Sequence, residues 1–196
     1  MKIIMKKDNL FWFAIRIGLL GGIVGLFLSL IGMIEVFSKR DVIENVITLG
    51  DFMLLATALA TGFIATRTIS NLLDQSKLVN NLMAGTLAGL TTGILIAAFV
   101  WLGSQINLRA VFLNASPALF DLLTFKRGAA GVWLLPEFGA IAGLMGALLF
   151  SLPEKFRQPI TRAIIFLFGM ALFSGLFRVV MINQSGNIEK LAKYLF

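Results

Sequence analysis

The stretch Leu78–Gly103, LVNNLMAGTLAGLTTGILIAAFVWLG, decides the architecture of this chain. It contains no Asp, Glu, Lys or Arg. At about 1.5 Å of helical rise per residue it is long enough to cover a hydrocarbon core roughly 30 Å thick. Four other stretches read the same way: Leu10–Phe37, Val46–Thr66, Ala129–Leu152 and Ala163–Ile182. The expected fold is therefore all-α, a polytopic transmembrane helical bundle of five spans with short interfacial amphipathic helices, and a single membrane domain over residues 1–196.

Composition points the same way. The 196 residues are 58% hydrophobic and 14% charged, with a mean hydropathy of +0.91, whereas a soluble domain carries about a quarter charged residues. The net charge of +7 would suggest nucleic acid in a soluble protein. Here the Lys and Arg residues gather between apolar spans, where they anchor helix ends against anionic headgroups, so the expected partner is the lipid bilayer and not nucleic acid. Cysteine and histidine are both absent. That removes disulfides, thiolate and imidazole metal sites, a cysteine nucleophile and the usual general base. No enzyme and no cofactor is expected.

The amino terminus carries Lys2, Lys6 and Lys7 ahead of the first apolar run, as a signal peptide does. A cleavable signal has an apolar region of about 7 to 15 residues, and this run is much longer, so it reads as a retained first helix. With five spans, the Lys and Arg residues divide almost evenly between the two sides and fix no orientation. The amino-terminal lysines, with only Asp8 beside them, favour a cytoplasmic start.

Between the spans, Arg67–Lys77 reads as a helical turn or two on the surface. In the longest connection, Ser116 followed by Pro117 reads as a cap and first helical position. Leu119, Phe120, Leu122, Leu123 and Phe125 then alternate with Asp121, Lys126 and Arg127, which predicts a short amphipathic helix at the membrane surface, a loop without membrane contact being the alternative. The tail Asn187–Phe196 has a similar pattern, with Asn187 as cap.

Glycines four apart recur on the predicted helices: Gly18 and Gly22, Gly85, Gly89 and Gly93, and Gly139 and Gly143. Small residues at that spacing form a smooth stripe along which membrane helices approach closely. Gly85, Gly89 and Gly93 are the expected tight contact, with Ala58 and Gly62 as their partner. The polar residues inside the spans are few. Pro136 frees a backbone carbonyl and Glu137 beside it must be hydrated, paired or protonated. Three readings stand open: a transport or proton-relay role, a structural one in which Glu137 faces the interior and pairs with Arg16 or bonds within its helix, and a later start of the span that leaves Pro136 and Glu137 at the headgroups. Asp51, level with Glu35, is a candidate cation site, and snorkelling is the alternative for Arg16, Glu35 and Asp51.

The segment from Ile15 to Thr66 resembles the amino-terminal membrane extension of branched-chain amino acid ABC transporter permeases of green non-sulfur bacteria. The likeness is carried by the Gly-rich first helix, the GMIEVFSKRD turn at Gly32–Asp41 and the LGD at Leu49–Asp51, with SGLFR at Ser174–Arg178 and AKYLF at Ala192–Phe196 near the other end. It implies an importer of the plasma membrane, worked by ATP-hydrolysing subunits and fed by a solute-binding protein. The permease core that would form the translocation path has no counterpart in this sequence. The resemblance therefore implies an accessory or scaffolding domain, and an independent structural membrane protein is the alternative. A small oligomeric channel or carrier around Glu137 is a third reading, opposed by the scarcity of polar residues in the spans.

Overall fold

The computed structural model describes residues 7–38, 41–43, 47–72, 78–106, 108, 112, 115–170 and 173. Chain contacts fall into two units, Met1–Leu152 and Pro153–Phe196.

The first unit is an all-α bundle. Its elements run α1 (Lys7–Leu30), α2 (Met33–Phe37), a two-strand antiparallel ladder of β1 (Asp41–Ile43) and β2 (Ile47–Thr48), then α3 (Leu49–Leu72), α4 (Leu78–Gln105), α5 (Pro117–Leu123) and α6 (Gly131–Ser151), the last entered through a 3-10 turn at Gly128–Ala130. Among the described residues, α1, α3, α4 and α6 are long and apolar enough to cross a membrane.

Interhelical contacts fix the directions. Side chains placed at Gly18, Gly22 and Gly25 would meet Ala88, Leu95 and Ile96 in turn, so α1 and α4 run parallel. Thr61 lies beside Thr92 and Thr66 beside Asn81, so α3 runs against α4. Gly89 faces Gly139 and Gly93 faces Leu135, so α6 also runs against α4. The result is an up-down-up-down bundle. Helices α1 and α6 both pack on the α3–α4 pair and make no extended contact with each other, so they flank it from opposite sides.

Two boundaries differ from the sequence reading. The expected first span, Leu10–Phe37, stops at Leu30, because Gly32 takes a left-handed φ of 82° and redirects the chain into α2. The second span continues to Leu72, so residues 67–72, expected on the surface, complete α3. Thr66 and Ile69 are buried there, which keeps the helix intact past Arg67.

The short helix α5 forms where Ser116 and Pro117 predict it. The Ser116 side chain accepts from the Leu119 N–H at 3.1 Å and Pro117 takes the first turn. Its apolar face is not offered to lipid: Leu119 and Leu123 are fully buried against the bundle. A Schellman closure ends it, with the Phe125 N–H on the Leu122 carbonyl and the Lys126 N–H on the Asp121 carbonyl. Phe125 and Lys126 both adopt positive φ, 53° and 59°, where glycine is usual. The Phe125 ring stands edge-on to Phe138 of α6 at 5.0 Å.

The second unit shows a helix over 154–170, with Gln158 donating to Glu154 at 2.9 Å. Ile165, Phe166 and Leu167 on it are each 66% exposed. Beyond Met170, Phe173 alone of the expected fifth span is described, and the tail Asn187–Phe196 lies outside the described residues, as do Ser174–Arg178 and Ala192–Phe196.

Candidate functional site

The centre of the bundle is built from glycine and threonine. On α3, Ala58, Thr61, Gly62, Ala65, Thr66 and Ile69 form one buried stripe at helical spacing, and on α4 so do Gly85, Ala88, Gly89, Thr92 and Gly93. Because small residues leave the backbone exposed between helices, the backbones approach within contact distance. A Cβ at Gly143 of α6 would collide with the Gly85 carbonyl and come within 2.7 Å of Gly89 Cα. A Cβ at Gly89 would collide with the Gly139 carbonyl, and one at Gly62 with that of Gly143. Gly143 is thus the point where α3, α4 and α6 converge.

The Gly85, Gly89, Gly93 stripe therefore seats on Gly139, Gly143 and Leu135 of α6, where the sequence reading paired it with Ala58 and Gly62 of α3. Both helices offer small residues to α4, and only the tertiary arrangement decides that α6 takes the glycines. What α3 offers instead is hydroxyls. Thr61 and Thr92 bring their oxygens to 3.2 Å, and Thr92 also reaches the Gly18 carbonyl at 2.9 Å and the Ala88 carbonyl at 3.0 Å. Thr66 donates to the Asn81 carbonyl at 3.0 Å. These threonines were not singled out from the sequence. Their position on the glycine stripes is the signal that marks them: Thr61 and Thr92 immediately precede Gly62 and Gly93, and Thr66 lies four residues past Gly62.

Gly18 and Gly22 sit on α4, where added side chains would come within 2.7 Å of Thr91 and Leu95 respectively. Together with Gly21 and Gly25 they make α1 the third helix closely docked on the α3–α4 pair.

The ionisable residues are not gathered. Asp51 is only 7% exposed and is committed to its own helix: its Oδ2 accepts from the Thr48 N–H at 3.0 Å and from the Thr48 hydroxyl at 2.8 Å. The Asp51 N–H in turn donates to Thr48 Oγ1 at 3.1 Å, a reciprocal capping box at the start of α3. Glu35, half-buried on α2, accepts from the Ser116 hydroxyl at 3.4 Å, tying α2 to the start of α5. Among the described residues no group of three or more metal-ligating side chains forms.

Arg16 and Glu137 are both exposed, on the outer faces of α1 and α6. Glu137 does not face the interior and does not pair with Arg16 of the same chain, since the α3–α4 pair stands between their helices. Pro136, half-buried, is held against Gly93 of α4, and a Cβ at Gly93 would approach Pro136 Cα to 2.8 Å. A proline there removes the hydrogen bond to the Val132 carbonyl. An open groove of about 870 Å³ lies between the end of α4, α5 and the start of α6, lined by Trp101, Phe120, Asp121, Thr124, Val132 and Trp133. The two tryptophans are 58% and 77% exposed, as expected of residues at a membrane–water boundary.

Fold and site together define a multi-pass helical membrane protein whose spans are joined by glycine contacts and threonine hydrogen bonds. No family model matches the chain, no curated protein is similar to it, and no solved structure matches it.

Proposed function

We propose that this chain is an accessory membrane domain, a scaffold rather than a translocation path, working with an ABC-type permease of the plasma membrane in the uptake of branched-chain amino acids. One observation carries the scaffolding part. The space between α3, α4 and α6 is closed by backbone-to-backbone contact around Gly143, and the ionisable residues of the spans are either committed to a cap, as Asp51 is, or turned outward, as Arg16 and Glu137 are. A transport path needs polar groups converging on a water-accessible interior. The importer setting rests on the likeness at Gly32–Asp41 and Leu49–Asp51. Under this reading the partners are a permease core, ATP-hydrolysing subunits and a solute-binding protein.

The test is co-purification from native membranes in mild detergent, with the genes adjoining this one. Recovery of an ABC ATPase with the chain, and adjoining genes for ATPase and solute-binding subunits, is the expected result. A chain that purifies without them and has no such neighbours overturns the importer setting and leaves an independent structural protein. Flux through liposomes that carry the chain alone is expected to be no higher than through empty ones. Substrate or proton flux lost on Glu137→Gln overturns the scaffold.

A further inference from the structure

Two of the outward-facing ionisable residues, Arg16 on α1 and Glu137 on α6, sit on matched faces. Along α1 the exposed row is Trp12, Arg16, Leu20, Ile23 and Phe27, and along α6 it is Trp133, Glu137, Ile141, Met145 and Leu148. Each row follows helical spacing, carries one tryptophan, and bears one charge a turn beyond it. Arg16 lies five residues inside the apolar stretch that begins at Phe11, and Glu137 nine residues inside the one that begins at Gly128, about 8 and 13 Å of helix. Within the first unit both therefore point outward at hydrocarbon depth, where an ionised side chain is costly and calls for a partner.

Depth can be read from α4, which both helices touch. Arg16 precedes the Gly18–Ala88 contact by two residues, and Glu137 follows the Pro136–Gly93 contact by one. Their levels on α4 differ by four to six residues, roughly 6–9 Å, a distance that an arginine and a glutamate side chain span together. Within one chain they cannot meet, because the α3–α4 pair separates α1 from α6. Two copies standing side by side in the same orientation bring the α1 face of one against the α6 face of the other. In that arrangement the helices are antiparallel, Arg16 reaches Glu137, Trp12 comes level with Met145, and Ile23 comes level with Trp133.

We infer that the occupant of these faces is a second copy of this chain, docked head to tail with Arg16 of one copy paired to Glu137 of the next. The contact is heterologous, using two different surfaces, so one face of each type stays available at the ends unless a ring closes. The inference goes beyond the importer reading and does not depend on it.

The experiment uses the full chain in lipid nanodiscs or liposomes. Its lack of native cysteine allows clean disulfide mapping. Copies carrying Trp12→Cys and differently tagged copies carrying Met145→Cys are expected to cross-link with each other, and Trp12→Cys copies are not expected to cross-link among themselves. Arg16→Glu and Glu137→Arg are each expected to weaken association at least about tenfold by single-molecule counting, and the Arg16→Glu/Glu137→Arg double variant to restore it. Restoration separates pairing from mere misfolding of either single variant. A wild-type chain that counts as monomer, a Trp12–Trp12 cross-link in place of the mixed one, or a double variant as weak as the singles overturns the inference. So does occupancy of the α6 face by a different subunit in the co-purification above.

Discussion

The hydroxyl of Thr92 on α4 lies 2.9 Å from the backbone carbonyl of Gly18 on α1 and 3.2 Å from the hydroxyl of Thr61 on α3. One fully buried side chain thus ties three membrane helices at a single level. Each hydroxyl has one proton: that of Thr61 is shared between the Ala58 carbonyl at 2.8 Å and Thr92, and that of Thr92 between the Gly18 and Ala88 carbonyls. Thr92→Val keeps the shape and removes the bonds. The expected loss is about 1 kcal/mol, in the range of interhelical hydrogen bonds in membranes, measured by unfolding in mixed micelles. In a cycle with Thr61→Val, the coupling between the two is expected near 0.6 kcal/mol, and strictly additive losses would contradict the shared network.

Gly143 and Gly89 leave no room for a side chain between α4 and α6. Gly143→Ala and Gly89→Leu must therefore push the helices apart, with an expected destabilisation of about 1–3 kcal/mol, the leucine causing the greater loss. Gly169, in the second unit, has nothing within 4 Å of where its Cβ would stand. Gly169→Ala is the internal control, and its melting temperature is expected to equal or slightly exceed that of the parent. Equal tolerance at Gly143 and Gly169 would show that the seam is not close-packed.

The Thr48–Asp51 capping box predicts a local effect with no ion dependence. Thr48→Ala and Asp51→Ala are each expected to cost about 1 kcal/mol, and Asp51→Asn less, because its amide oxygen still accepts. Adding monovalent or divalent cations is expected to leave the thermal transition of the parent where it is. A cation-dependent stabilisation abolished by Asp51→Asn would restore the metal reading.

Lys126 holds a left-handed backbone in the turn that leads from α5 towards α6. Lys126→Gly is expected to raise stability by roughly 1 kcal/mol by removing the Cβ penalty there. Phe125→Gly relieves the same strain and loses the ring packed on Phe138, so it is expected to be neutral or destabilising. A Lys126→Gly variant no more stable than the parent would argue against strain at this turn.

The long helices were legible because length and apolarity alone define a membrane span, and Leu78–Gly103 needs no tertiary information to be read. Their ends were less so. Gly32 interrupts a run that remains apolar on both sides, and Arg67 sits on a helix that Thr66 and Ile69 hold in place from the buried face. The Thr48-x-x-Asp51 spacing was present in the sequence as a capping signature, yet an acidic residue near Glu35 invited a cation reading instead. Glu137 shows the same lesson: it lies almost opposite the Gly139 and Gly143 stripe around α6, so the stripe itself directs it outward. Which helix receives which stripe was not legible, because α3 and α6 both present small residues and the choice is made by packing in three dimensions.

The even number of crossings between Lys7 and Ser151 has a consequence for the gene as well as the protein. A segment that enters and leaves the bilayer on one side is neutral in topology. Inserting or excising it preserves the sidedness of whatever is joined to its two ends, so recombination can move such a cassette between membrane proteins without inverting either host.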